Sequence, residues 1–187
     1  MAQLKIDKQG LAAALILAVS VIALPAEAAF GTLKDEYWKS HASEAAVSVD
    51  HAPWAELLEI YLHEGLSGVH LFDYAGVSQA DKAKLDTYVA YLQSLPATGL
   101  TRDQQFAYWV NLYNAVTVKL VIEAYPVDSI RDVRPSGLFS PGPWKRKLIT
   151  VEGRRLSLDN IEHNILRPIW RDPRIHYAVN CASIGCP

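Results

Sequence analysis

Helical periodicity dominates the first two thirds of the chain. Apolar residues three or four apart predict one helix over residues 52–62 and a second that begins at Ser78 and ends before Pro96. A short piece between them, residues 70–74, is expected to be extended or irregular. The periodicity is strongest over residues 102–124, where apolar side chains nearly surround the helix. A helix that is apolar on most sides usually lies at the centre of a domain.

The last third changes to short extended segments. Residues 147–151 and 154–156, joined by a Glu-Gly turn, predict a β-hairpin. Ser157 predicts the cap of another helix, and the apolar run over residues 175–180 predicts a final strand that leads into Cys181. This order of elements predicts an α+β fold, with N-terminal helices packed against a small antiparallel sheet.

The N-terminus has the three parts of a secretory signal peptide. Lys5 and Lys8 precede an apolar run over residues 11–24, and Ala26 and Ala28 follow at the positions that a signal peptidase reads. A run of about 14 residues is short for a bilayer that needs roughly 20. We therefore predict a signal peptide over residues 1–28, with an uncleaved membrane anchor as the alternative.

Cleavage after Ala28 would leave a mature chain that works in the periplasm or as a secreted protein, without a membrane span. We expect its N-terminal helical part, residues 29–100, and its core, residues 101–187, to form one globular domain.

Composition and motifs narrow the classes of function. The formal net charge of -2 argues against a nucleic-acid partner. The sequence contains no glycine-rich phosphate loop and no compact histidine spacing, so we expect no cofactor and no metal.

The two cysteines are Cys181 and Cys186, near the end of the chain. A thiol at the exit of an apolar strand, near a histidine, is typical of a cysteine nucleophile. Outside the cytoplasm the two cysteines could instead form a structural or redox disulfide. The sequence leaves both interpretations open.

Other polar residues could complete a catalytic site around Cys181. His163 or His176 could stabilise the thiolate. Glu162 and His163 are adjacent on a helix, so we expect one of them to face the cleft and the other to brace the helix. Asn111 and Asn114 lie on one face of the long helix, where buried amides either hold neighbouring backbone or face a cleft.

Several ordered blocks between Phe106 and the C-terminus resemble the domain-of-unknown-function family numbered 547. They are Trp109–Ala115, Leu156–His163, Leu166-Arg167, Asp172–His176, Asn180–Ser183 and Cys186-Pro187. The resemblance implies an exported bacterial protein. It also implies that the chain continues beyond the Cys-Pro pair in relatives, so we expect this sequence to be a fragment or a truncated gene product.

The resemblance, by analogy with papain-like thiol enzymes, implies Cys181 as nucleophile, His163 or His176 as base and Glu162 as orienting group. Asn111, Asn114 and Ser183 would then contact substrate. The order of histidine before cysteine would require a permuted papain-like arrangement.

Three functions therefore remain open. The first is a thiol-dependent hydrolase or acyltransferase that acts on a peptide or small molecule. The second is a non-catalytic module of the cell envelope that binds a peptide or small ligand, and the third is a role for a disulfide between the two cysteines.

Overall fold

The computed structural model describes residues 36–65, 68–133 and 142–182. Its α-helices are α1 (Ala52–Tyr61), α2 (Gln79–Ser94), α3 (Arg102–Ala124), α4 (Arg167–Trp170) and α5 (Ile175–Ala178). Short 3-10 helices cover Glu36–Lys39, Ala97–Gly99 and Ile130–Asp132, and a π-helical stretch covers Asn160–Leu166. The strands are β1 (Leu62–Glu64), β2 (His70–Phe72), β3 (Ile149–Val151) and β4 (Arg154–Leu156). All these elements belong to one compact unit of the chain.

The strands form two separate antiparallel hairpins, so the α+β class is confirmed. In the first hairpin Leu62 pairs with Phe72 and Glu64 pairs with His70. In the second, β3 and β4 pair through the predicted turn, where Glu152 and Gly153 have φ of 47° and 75°. Positive φ at both central residues matches the twist of a two-residue hairpin.

The starts of the main helices follow from their caps. The Ser78 hydroxyl accepts from the N–H of Asp81 at 3.1 Å at the start of α2. Thr101 and Gln104 form a reciprocal capping box at the start of α3, as the Thr-x-x-Gln spacing predicts. These side chains satisfy N–H groups that a helix leaves without partners in its first turn.

Helix α3 is the centre of the core, as its periodicity predicts. Tyr108, Trp109 and Leu112 are fully buried along it. Trp109 packs edge to face against Trp38 with ring centroids 5.0 Å apart, which ties the 3-10 helix at residues 36–39 to the core. The core helix therefore positions the elements on either side of it.

The prediction of a final strand over residues 175–180 is wrong, because residues 175–178 form helix α5. Ile175 and Val179 are buried four residues apart, whereas Tyr177, which alternation would bury with them, is 68 % exposed. The Asp172 carboxylate accepts from the N–H of Arg174 at 2.9 Å and starts the turn. Periodicity alone cannot separate a buried strand from a helical turn in so short an apolar run.

Three predictions concern residues outside the described ranges. They are the signal peptide over residues 1–28, the substrate contact of Ser183 and the disulfide to Cys186. Within the described ranges, no helix combines the length and the apolar character that a membrane crossing requires.

Candidate functional site

A cavity of about 650 Å³ lies between α1, the β1–β2 hairpin, α3 and the turn at residues 180–182. This volume is within the range of small-molecule binding sites, about 300–1,000 Å³. Its lining is mostly apolar and includes a few amide, hydroxyl and imidazole groups. The lining residues are Trp54, Leu58, Leu62, Val69, His70, Leu71, Phe72, Tyr74, Asn111, Asn114, Thr117, Val118, Asn180 and Ala182.

One wall of the cavity, which we call the apolar wall, consists of its lining residues from α1 through Tyr74. Trp54 stacks on Tyr88 of α2 with ring centroids 6.3 Å apart and planes 3° from parallel. Phe72 packs against Tyr74 with centroids 4.9 Å apart. Leu71, on the same hairpin, is 51 % exposed, so apolar surface continues from the cavity to solvent.

The apolar wall is braced from behind by a histidine. Nδ1 of His51 lies 2.6 Å from the Tyr88 hydroxyl, and Tyr88 is the ring on which Trp54 stacks. Burial lowers the pKa of His51, and the nearby carboxylate of Asp50 opposes this shift in part. The folded state therefore favours the neutral imidazole of His51.

The opposite wall, which we call the amide wall, consists of the lining residues of α3 together with Asn180 and Ala182. Asn114 donates from Nδ2 to the carbonyl of Ala178 at 2.9 Å. Its Oδ1 accepts from the N–H of Asn180 at 2.9 Å. One side chain of the core helix thus holds the backbone on both sides of Val179, directly before Cys181.

The turn that contains Cys181 is closed by a second asparagine. Oδ1 of Asn180 accepts from the N–H of Ala182 at 2.6 Å, and Ala182 has a φ of 56°. Asx turns of this kind satisfy backbone groups without a strand or helix. Cys181 is half-buried, between two residues that line the cavity.

The segment that enters this turn is fixed by an ion pair. The Arg174 guanidinium donates to both carboxylate oxygens of Asp172, at 2.6 and 3.0 Å for the shortest contacts. These hydrogen bonds lower the pKa of Asp172 to about 2. The Asp172 carboxylate is therefore ionised at neutral pH.

Asn111 differs from Asn114 although both line the cavity. Among hydrogen bonds between the described residues, none uses the side chain of Asn111, which is half-buried. Thr117, the neighbouring polar residue on α3, donates its hydroxyl hydrogen to the carbonyl of Tyr113 at 2.9 Å. The sequence left two roles for amides on this helix, and in the structure Asn114 holds backbone while Asn111 faces the cavity.

The structure does not bring the three predicted ionisable partners of Cys181 into the lining formed by the described residues. Glu162 accepts from the Arg167 guanidinium at 2.6 and 3.1 Å. His163 is about half-exposed, with Nε2 3.9 Å from the Asp159 carboxylate. His176 is exposed, its ring centroid 5.9 Å from that of Tyr177. Their catalytic roles stay predictions.

Sequence reasoning missed the apolar wall and His70, which lies on β2 and lines the cavity. Trp109 and Tyr113 of α3 do not line this cavity, because both side chains are buried in the core. A three-residue strand such as His70–Phe72 gives too few positions for a period of two to be recognised. The apolar residues Val69 and Leu71 on either side of His70 are the sequence signal that could have marked this hairpin.

The described residues contain no group of three or more His, Cys, Asp or Glu side chains that could hold a metal ion.

The sequence model of the family described as "Protein of unknown function, DUF547" matches residues 97–187. The chain belongs to this family through its C-terminal half, and the resemblance that begins near Phe106 is confirmed. No curated protein and no solved structure matches the chain.

Proposed function

We propose that this member of the DUF547 family binds a small ligand or a peptide segment in the cavity between the apolar wall and the amide wall. The observation that supports this most is a cavity of about 650 Å³ that combines a largely apolar lining with a few convergent polar groups. That combination is typical of ligand sites, because apolar contact supplies affinity and a small number of hydrogen bonds supplies orientation.

The proposed binding takes place outside the cytoplasm. The support is the order of basic residues, apolar run and small residues before Ala29. Expression of the full chain, followed by fractionation and N-terminal sequencing, should find mature protein that begins at Ala29 in the periplasm or medium. Retention of residues 1–28 on a membrane-bound chain would favour the anchor instead.

A fluorescent apolar probe tests the cavity directly. N-phenyl-1-naphthylamine should bind with one-site saturation, and Val118→Phe should abolish the signal because Val118 lines the cavity. Val110→Phe is the matched control, since Val110 is also half-buried on α3 but is not one of the lining residues. Binding that does not saturate, or that survives Val118→Phe unchanged, would contradict the proposal.

A second candidate function is a thiol-dependent hydrolase or acyltransferase. The observation in its favour is that half-buried Cys181 lies between two lining residues, in a segment that Asn114 holds on its N-terminal side. The Cys181 thiolate would attack a carbonyl carbon of a bound ester or amide and expel the alcohol or amine. Water or a second acceptor would then take the acyl group and restore the thiol.

Alkylation kinetics test this second candidate. In a Cys186→Ser background, iodoacetamide should label Cys181 with a midpoint well below the usual thiol pKa of about 8.5. One of the two substitutions His163→Ala and His176→Ala should return the alkylation midpoint of Cys181 to the usual value, and that result would identify the base. Labelling with an ordinary midpoint, unaffected by either substitution, would leave ligand binding without catalysis.

A further inference from the structure

We infer that the ligand of this cavity is an uncharged small molecule in which a single amide group is joined to an apolar body. This inference rests on the proposed function, because it names the chemistry of what the cavity binds. Three features of the lining carry it: its charge, the availability of the Asn111 side chain and the extent of the apolar wall.

The first feature is the charge of the lining. The lining residues among the described ranges include no Asp, Glu, Lys or Arg, and the one lining imidazole, that of His70, is exposed. Transfer of an ionised carboxylate or ammonium from water to such a site has a high cost unless an opposite charge compensates it. The described part of the lining therefore disfavours charged ligands without a steric barrier.

The second feature is Asn111. An asparagine side chain offers two N–H donors and one carbonyl acceptor, which an amide on the ligand matches group for group. Asn114 has its Nδ2 and Oδ1 engaged with Ala178 and Asn180. The side chain of Asn111 makes no hydrogen bond to another described residue, so it is available to the ligand.

The match to one amide also separates a small molecule from a peptide. A peptide carries an amide at every residue, and each one that is buried without a partner costs free energy. The described lining offers the uncommitted amide of Asn111 on α3, opposite a wall made of Trp54, Phe72 and other apolar side chains. Asn180 and His70 also line the cavity, but both are exposed, so water can satisfy their free polar groups, and the half-buried Tyr74 adds one hydroxyl. A ligand with one amide and an otherwise apolar body satisfies both walls.

The third feature is the continuation of the apolar wall to solvent. Leu62, Val69 and Leu71 line the cavity and are 37 %, 43 % and 51 % exposed. Burial of this surface by a ligand is favourable at roughly 25 cal/mol per Å². The apolar body therefore extends over the β1–β2 hairpin while the amide lies against α3.

Displacement of N-phenyl-1-naphthylamine by three octyl probes tests the inference at pH 7. Octanamide should displace the probe at a concentration at least about tenfold lower than octanoate or octylammonium, since the charged heads lose hydration and the described lining has no Asp, Glu, Lys or Arg to compensate. The acetylated peptide Ac-Leu-Leu-NH2 tests the alternative that the ligand is a peptide. A charged probe or the peptide that competes as well as octanamide would overturn the inference and leave the binding function intact.

The role of Asn111 is tested by Asn111→Leu. This variant should weaken octanamide about two- to tenfold, the range of one net hydrogen bond, with little effect on octanoate. Asn164→Leu is the matched control, because Asn164 is also half-buried on a helix but is not a lining residue. An equal octanamide affinity in Asn111→Leu and wild type would overturn the assignment. Failure of the fluorescent probe itself to bind would instead remove the proposed function.

Discussion

The apolar wall and the amide wall of the cavity are held together by different interactions. The apolar wall depends on stacked and tilted rings, such as Trp54 on Tyr88, and has a half-exposed rim at Leu71. The amide wall depends on directional hydrogen bonds from Asn114 and Asn180 to the backbone around Cys181. Ring contacts tolerate small displacements, whereas hydrogen bonds weaken steeply when their angle changes.

The two walls also differ in their relation to the family. The apolar wall precedes residue 97, whereas all residues of the amide wall lie within the matched range 97–187. The matched part of the chain thus contributes directional polar groups, and the part before it contributes apolar shape. We interpret the first as the determinant of ligand orientation and the second as the determinant of the ligand's apolar body.

The largest expected effect on stability comes from Trp54, the buried ring of the apolar wall. Trp54→Ala should lower the free energy of unfolding by about 3–5 kcal/mol, because it removes a side chain that is 4 % exposed and leaves a cavity behind it. Urea denaturation measures this change. Leu71→Ala, on the exposed rim of the same wall, should change it by no more than about 0.5 kcal/mol. Equal changes in the free energy of unfolding for Trp54→Ala and Leu71→Ala would mean that Trp54 does not stabilise the wall through its burial.

The next effect concerns the amide wall. Asn114→Leu should lower the free energy of unfolding by about 1–3 kcal/mol, since the Ala178 carbonyl and the Asn180 N–H lose their partner. Hydrogen exchange at the Asn180 amide should accelerate in this variant. Asn111→Leu serves as control and should leave both quantities nearly unchanged. Unaltered exchange in Asn114→Leu would show that the turn does not depend on this side chain.

A smaller effect separates the walls by pH. Because burial lowers the pKa of His51, the unfolded chain binds a proton more readily than the folded chain. The contribution of neutral His51 to folding stability is therefore fully present at pH well above its unfolded pKa of 6.5 and is lost as pH falls below that value. The melting temperature between pH 8 and 5 should fall less in His51→Gln than in wild type. A His51→Gln slope equal to the wild-type slope would contradict the prediction.

The smallest effect is on the approach to the turn in the amide wall. The pKa of Asp172 is lowered to about 2, so its contribution is present above its unfolded value of 3.8 and is lost as pH falls towards 2. Asp172→Asn should melt slightly below wild type at pH 6, and the difference should shrink as pH falls from 4 through 2. A difference that is as large at pH 2 as at pH 6 would assign the effect to something other than the carboxylate charge.

The accuracy of the sequence predictions depended on the length of each periodic segment. The helix over residues 102–124 is confirmed to the residue, because its periodicity is long, Thr101 and Gln104 cap it and Pro126 follows it. The segment at residues 175–180 was too short for periodicity to distinguish a strand from a helix, and residues 175–178 form a helical turn.

The candidate site was predictable in part. The amide pair Asn111 and Asn114 could be selected because buried amides need partners, but their division into a backbone-holding and a cavity-facing residue could not. The roles of Cys181, His163, His176 and Glu162 stay predictions, and His70 was not selected. The sequence offers no measure of which distant side chains share a cavity.

The sequence by itself determined the α+β class, the central helix, the caps and the family, because these depend on local periodicity and on motifs that are contiguous along the chain. Only the tertiary structure decided that the apolar wall faces Asn111 and the turn at Cys181 across one cavity. That arrangement depends on packing between segments more than 100 residues apart, such as Trp54 and Asn180, which no local pattern specifies.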